Sequence, residues 1–588
     1  MIANDPLQNV LYIDLSRNRF HVEKRPELFD RHLGGAGAGI ALLHECCPPG
    51  VDPYAPEAPI ILTVGPLVGL YPLASKTVAM FKSPHTGNLG ESHAGGRSAV
   101  AIREAGYGAI VIQGAASLPT YLVVEGGQVG FRDATTLWGM RHGNTAARVI
   151  RENEPGAGLR TIMRIGRAGE NLVSYACVKT ETYRTFGRLG LGAVFGSKKL
   201  KALVIVGKSS LPVADRRSYR RSYDSIYQAA IKSPLMKKYH DLGTASNILP
   251  LDAIGGLPAR NLQAAKMEGA AQLSGEALAE GYLGRRLACA HCPVGCIHIA
   301  ALREPYMDET YFYKTTMISY DYEPIYSLGT MLGVSDPVGF LRLFDVIESW
   351  GLDAMSAGVA LAWATEAFER GLISTRETAG LHFSWGDAAT YILGASALVE
   401  QPNDFYRALA RGVDNAAARY GGEDFALAFG GNEMPGYHTG PGAHLGWLLG
   451  LRHSHLDNAG YSIDQKPAQE IMPPEKLVEA LMQEEQWRQI LSSLVVCFFA
   501  RGIYTPDVVL ETLKAAGYDL SKDDLNALGL DIYRRKYAFK VREGFDLGAM
   551  RIPQRIFETP SPLGMLEREY IERGLAYAKA KLASIERA

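Results

Sequence analysis

The chain is expected to be α+β, with an N-terminal β-sheet domain over residues 1–210 and two mainly α-helical domains over 211–420 and 421–588. Three observations predict this. At 588 residues the chain is too long for one hydrophobic core. Up to about residue 210, short apolar runs with period-two alternation recur between turn residues. After Asp215 the apolar spacing changes to the 3.6-residue period of helices.

In chain order, Leu11–Leu15, a polar Ser16-Arg-Asn-Arg19 and Phe20-His-Val22 read as a hairpin. Apolar strands follow at 60–64 and 109–112, and a second hairpin turns at Gly126-Gly127 between Tyr121-Leu-Val-Val and Val129-Gly-Phe. A strand at 202–206 ends this part. The clearest helix runs from Asp336, a helix-capping residue followed by Pro337, to a glycine stop at Gly351. Its apolar stripe is Phe340, Leu343, Phe344, Ile347 and Trp350. Further helices are expected at 356–370, 404–420, 475–499 and 563–585.

Bulk chemistry narrows the function. Lys+Arg number 61 against 62 Asp+Glu, so net charge gives no reason to expect nucleic acid or an anionic membrane as partner. No apolar run of roughly 18 residues is present to span a bilayer. The first residues carry no basic-then-apolar export pattern, and seven scattered cysteines are no disulfide framework. From these a reducing cytoplasm is the expected location.

Three of those cysteines form Cys289-x2-Cys292-x3-Cys296. Zinc sites usually take their ligands as two pairs, and no second C-x2-C or H-x3-H pair exists, although His291 and His298 stand close by. Three near thiolates with one distant partner suit a [4Fe–4S] cluster, the favoured reading over zinc or an unligated group. Three glycine-rich stretches, at 33–39, 92–97 and 187–199, are either tight turns or backbone cradles for an anion. None matches a nucleotide fingerprint. Asp321 and Glu323 lie among aromatics in Tyr320-Asp-Tyr-Glu-Pro, and His453-Ser-His455 offers two imidazoles with Asp457 behind. Such groups serve as acid, base or oxygen-polarising donor, or are satisfied structural side chains.

Taken together, these pieces resemble the aldehyde ferredoxin oxidoreductase family of tungsten or molybdenum enzymes with two pterins. The resemblance runs through Leu33-Gly-Gly, Ser83-Pro-His-Thr-Gly, Gly95-Gly-Arg, Ile165-Gly-Arg-Ala-Gly-Glu-Asn, the 187–198 glycine stretch, the cysteine triplet, Tyr322-Glu323, Gly351-Leu-Asp353 and Cys497. It implies a β-domain seating both pterins, closed over by two helical domains. It implies a [4Fe–4S] cluster on Cys289, Cys292, Cys296 and Cys497, with Lys76 where the family has an arginine between cluster and pterin. His93, Gly95 and Gly96, with Arg184, Gly187 and Arg188 opposite, would line the pterin phosphates, bridged by Mg2+. Two motifs of the form D-x-x-G-L-[DC] hold the pterin rings in the family. They read here as Glu348-Ser-Trp-Gly-Leu-Asp353 and Ser492-Ser-Leu-Val-Val-Cys497, the second without its acid and glycine; Phe498 follows. Glu323, with neighbouring Tyr322, is the implied acid/base, His455 the oxygen-polarising imidazole and His453 its second choice. The implied reaction takes an aldehyde to a carboxylic acid, with ferredoxin or a small iron–sulfur subunit as acceptor and a homodimer as a possible assembly. The alternatives are the catalytic subunit of a low-potential acyl or aromatic thioester reductase, and a pterin-free iron–sulfur scaffold.

Overall fold

The computed structural model describes residues 2, 4–154, 156–181, 183–307, 311–466 and 471–587. The chain divides into two compact units, each assembled from separated segments. The first unit comprises Met1–Lys237, Ala288–Gly295 and Glu484–Phe545; the second comprises Lys238–Leu287, Cys296–Gln483 and Asp546–Ala588.

The first unit holds two six-stranded mixed sheets. The strands of one are β1 (Asn9–Asp14), β2 (Arg19–Lys24), β3 (Ile60–Thr63), β4 (Thr77–Lys82), β5 (Leu89–Ala94) and β6 (Ala109–Gln113), in the order β2-β1-β6-β3-β4-β5. The other contains β7 (Thr120–Glu125), β8 (Gln128–Asp133), β9 (Leu159–Ile165), β10 (Val178–Lys179), β11 (Thr185–Phe186) and β12 (Leu200–Gly207), in the order β11-β10-β9-β12-β7-β8. Interior strands are mainly apolar because both faces are covered: every residue of β3 and of β12 is buried, including Lys201, which is paired with Glu170. The β7–β8 hairpin turns on Gly126 and Gly127, both with positive φ (58° and 77°), so its two-residue loop matches the twist of the flanking strands.

The same unit includes the helices Pro506–Ala515 and Lys522–Arg542, the latter opened by a reciprocal cap between Ser521 and Asp524. The stretch from Leu33 is not a turn. It forms the buried helix Gly35–Cys46. A Cβ on Gly35 would stand 2.2 Å from the Ser492 carbonyl oxygen, and one on Gly65 2.5 Å from that of Ser493. These glycines let backbone meet backbone, and the anion reading of this stretch gives way to packing.

The second unit is mostly helical, with a three-stranded antiparallel sheet of Leu283–Leu287, Ile297–Pro305 and Tyr313–Tyr320 and a two-stranded one of Ala428–Phe429 and Asn432–Glu433. Its helix Pro337–Trp350 starts on Asp336, whose carboxylate accepts from Val338 N and Gly339 N, and stops on left-handed Gly351 (φ 78°). Asp353 caps the next helix, Ala354–Glu369. The segment 404–420 is two helices, Asp404–Leu409 and Val413–Tyr420, separated at Gly412 (φ 104°). No described helix is long and apolar enough to cross a membrane.

Candidate active site

In the first unit, Leu73 ties together two of the candidate cofactor stretches, whereas Cys296, Glu348 and Asp353 belong to the second unit. Leu73 donates its N–H to the carbonyl of His291 (3.2 Å) and accepts from Cys497 N (2.8 Å). The cysteine loop and the turn at 497 are therefore anchored to one residue, itself in the left-handed region (φ 65°). Ala290 N donates to Gly96 O, and a Cβ on Gly95 would stand 2.9 Å from Cys289 Sγ and 3.9 Å from Arg184 Cγ. Gly95 thus needs to be glycine, and it sets Cys289 beside Arg184. Gly96 has φ 100°, again a glycine conformation. At Gly187, by contrast, a Cβ would meet nothing within 4 Å. The later glycines of that stretch are crowded: Gly190 and Gly192 press on the backbone oxygens of Ser174 and Cys177.

Phe498 follows Cys497, with Lys76 Nζ 4.8 Å and the Arg488 guanidinium 5.2 Å from its ring centre. The His93 ring lies 6.5 Å away. Cys289, Cys292, Cys296 and Cys497 are all partly exposed, whereas Cys47 and Cys177 are buried. Among the described residues, no three His, Cys, Asp or Glu side chains are close enough to share a single metal ion. The backbone of Gly95 and Gly96, beside the Cys289 thiol and Arg184, offers donors that suit a phosphate and a thiolate ligand.

The two D-x-x-G-L-[DC]-like motifs share one backbone design despite their different residues. Each follows a helix with a left-handed residue, Gly351 (φ 78°) directly after Trp350 or Val495 (φ 55°) two residues after Ser493. In each, the next N–H reaches back five residues, Leu352 to Ile347 O (3.1 Å) and Val496 to Leu491 O (2.9 Å). Two residues beyond each left-handed residue, Asp353 and Cys497 are extended and begin the next helical turn. Asp353 is buried and accepts from Met355 N and Ser356 Oγ. Ser492 is buried beside Gly35, and Glu348 lies in the last turn of its helix. A β-branched residue with positive φ is strained by about 1–2 kcal/mol. Val495→Gly should therefore be destabilising by about 1–2 kcal/mol less than Val496→Gly, since both side chains are buried but only one backbone is relieved. Paired urea-unfolding curves test this, and equal losses would remove the strain argument.

The second unit brings the acidic and histidine motifs together. Asp321 and Tyr322 open the short helix Tyr322–Leu328, putting Glu323 in its first turn. Ser454 and Asp457 form a reciprocal cap on His455–Asn458, which fixes His455 at that helix's start. His455 Nδ1 lies 3.2 Å from Glu323 Oε1, and both side chains are largely enclosed, at 12% and 14% exposure. Glu323 Oε2 accepts from Gly436 N (3.1 Å). The Tyr322 hydroxyl donates to the carbonyl of the same Gly436. His453 turns elsewhere: its Nδ1 bonds the Trp447 carbonyl (2.9 Å), and its ring lies under Gly430.

Gly436 was not visible as a site residue in the sequence, nor were Tyr437 and Tyr461. A Cβ on Gly436 would stand 2.7 Å from Tyr326 Cγ and 2.9 Å from Tyr322 Cε1. Tyr437 stacks on Tyr461 (4.1 Å) and lies 5.4 Å from the His455 ring. Burial, then the neighbouring Tyr461 and Glu323, hold the Tyr437 hydroxyl well above its usual range; burial and Glu323 do the same for Tyr322. Both phenols stay protonated, so the carboxylate and imidazole are the groups left to exchange protons. Pro435-Gly436 is a turn signal in the sequence, but a turn signal names no ligand.

The sequence and the fold both match known proteins. Residues 10–207 match the aldehyde ferredoxin oxidoreductase N-terminal domain, and residues 222–581 match domains 2 and 3 of the same family. The tungsten-containing aldehyde ferredoxin oxidoreductase of Thermococcus kodakarensis is 31% identical over 593 residues, covering 96% of this chain and 95% of that one. Its Pyrococcus furiosus counterpart is 30% identical over 589 residues, with the same coverage. In fold, the active-site complex BamBC of benzoyl coenzyme A reductase, bound to 1,5-dienoyl-CoA, is similar with a TM-score of 0.82, at 21% identity and covering 98% of this chain and 94% of that one. The chain belongs to the aldehyde ferredoxin oxidoreductase family and is an oxidoreductase.

Proposed function

We propose that the protein is a tungsten (or molybdenum) bis-pterin enzyme that oxidises an aldehyde to a carboxylic acid. Its electrons would pass through a [4Fe–4S] cluster to ferredoxin or a small iron–sulfur partner. The observation that carries this reading is the enclosed Glu323–His455 pair, a base and a donor on adjoining sites in a family of oxidoreductases. When bound, the metal–pterin group supplies the two-electron acceptor.

The chain's own residues supply the proton chemistry. Aldehyde plus water gives carboxylic acid, two electrons and two protons. Glu323 takes a proton from the attacking water, and Gly436 N–H holds the carboxylate in place. With His455 Nδ1 beside Glu323 Oε1, its Nε2–H is the group that donates to the substrate oxygen. Tyr437 and Tyr461 pack beside the imidazole and limit its rotation.

Cys289, Cys292, Cys296 and Cys497 are proposed as cluster ligands, Lys76 as the residue between cluster and pterin, and Phe498 as a cofactor-binding residue. His93, Gly95, Gly96, Arg184, Gly187 and Arg188 are proposed at the phosphate end, with Mg2+. Glu348, Asp353 and Ser492 are proposed at the pterin rings. A three-domain division near residues 210 and 420, a homodimer and a cytoplasmic location complete the reading.

A second reading has one observation in its favour. The fold neighbour in complex with a dienoyl-CoA is a benzoyl coenzyme A reductase, so a subunit of a thioester reductase is the rival. Elemental analysis and an aldehyde assay coupled to a viologen dye test both. Tungsten or molybdenum at about one per chain with about four irons, and dye reduction by simple aldehydes, is the expected result. Metal with no aldehyde activity and turnover with an aromatic thioester would favour the rival. Iron without tungsten, molybdenum or pterin would overturn both.

A further inference from the structure

We propose that a buried ion pair between Glu91 and Lys536 positions His93, and through it secures the phosphate end of the pterin cofactor. This inference rests on the functional reading above. Glu91 and His93 lie two residues apart on β5 and so point to the same face of the strand, which is the last strand of its sheet. The Glu91 carboxylate divides its oxygens. Oε1 lies 2.7 Å from His93 Nε2, and Oε2 lies 2.5 Å from Lys536 Nζ. All three side chains are largely buried, Glu91 at 1% exposure and Lys536 at 2%.

Lys536 Nζ also donates to Gln489 Oε1 (2.5 Å). Gln489 precedes Ser492 by three residues, on the same face of the helix Pro474–Ser493. The arrangement therefore joins β5, the helix Lys522–Arg542 and the helix that leads into Cys497. Two residues beyond His93, the strand runs into Gly95 and Gly96, the glycines that stand against Cys289 and Ala290.

The geometry gives the pair a specific task. A carboxylate on Nε2 fixes which imidazole nitrogen carries the proton and holds the ring in one orientation. Nδ1 is then the nitrogen directed away from Glu91. A buried carboxylate needs its cation, and Lys536 is the cation that keeps Glu91 charged beside His93. Glu91 and Lys536 are positioning residues in this scheme and need not touch the cofactor.

A purely structural ion pair makes a different prediction, because removing both charges of a buried pair together is commonly tolerated. The test purifies wild-type protein, Glu91→Gln, His93→Ala and the double variant Glu91→Gln/Lys536→Met from tungstate-supplemented cells. It measures tungsten, oxidised-pterin fluorescence and iron per chain, with thermal unfolding alongside. The expected result is a loss of tungsten and pterin of about tenfold in Glu91→Gln, His93→Ala and the double variant, with iron unchanged. The double variant should also unfold near the temperature of wild-type protein prepared without tungstate. Full tungsten and pterin in that stable double variant would overturn the proposal and leave the functional reading standing. A wild-type chain without tungsten, molybdenum or pterin would overturn both.

Discussion

Glu323→Gln should lower aldehyde turnover by a factor of about 10²–10⁴ while tungsten, pterin and iron per chain stay at wild-type levels. The substitution is nearly isosteric. Its amide oxygen can still accept from Gly436 N, as Glu323 Oε2 does, and its NH2 can face His455 Nδ1. What it lacks is basicity and charge. The attacking water then keeps its proton, and His455 loses the anion beside its Nδ1. A defect caused by misfolding would also release cofactor or lower the unfolding temperature, so content and stability separate the two causes. Normal turnover with full cofactor would remove Glu323 from the mechanism. Gly436→Ala distinguishes position from chemistry: its Cβ would press on Tyr326 and Tyr322, moving the carboxylate without altering it.

Much of the architecture is legible locally. Asp336, Pro337 and Gly351 mark a helix because cap, first turn and left-handed stop are each set by neighbouring residues. Gly126-Gly127 specifies its hairpin for the same reason. What cannot be read locally depends on distant partners. Gly-Glu-Ser-His in β5 has little strand propensity, yet the strand is built in, with Glu91 satisfied by Lys536 some 445 positions on. The glycines after Leu33 suggest turns until the carbonyl of Ser492 is seen to lie where a side chain would be. The helix Lys522–Arg542 carries a readable Ser521–Asp524 cap, but its charged sequence shows no clear apolar face. In the candidate site, the sequence names Glu323 and His455, and only the fold shows that Gly436 holds the first and that Tyr437 flanks the second. The motif at Ser492–Cys497 looks degraded as a string of letters. Its backbone nonetheless repeats the turn at Glu348–Asp353, because hydrogen bonds around Val495 impose the conformation that glycine would adopt freely.

That preserved turn is why Cys497→Ser should be the second large-effect substitution. Cys497 N is fixed by the Leu73 carbonyl at 2.8 Å, so the exchange of Sγ for Oγ leaves the backbone in place and changes only the ligand atom. Iron–sulfur clusters are held by thiolates, and a serine hydroxyl at this position is a poor substitute. Iron per chain should fall from about four to three or fewer, and the reduced-cluster EPR signal should change or vanish. Turnover with a one-electron dye should fall with it, while tungsten and pterin stay bound. Cys46→Ser is the matched control. Burial, with Glu45 nearby, pushes the Cys46 thiol up to about 11, so it is not a thiolate at neutral pH and its loss should leave iron untouched. Equal iron in wild type and Cys497→Ser would exclude Cys497 as a ligand. Loss of iron in Cys46→Ser would mean that the cluster draws on a different set of cysteines. The contrast between the two variants isolates the ligand question from general thiol damage, because both replace one cysteine by serine and only one of them lies on the turn that Leu73 anchors.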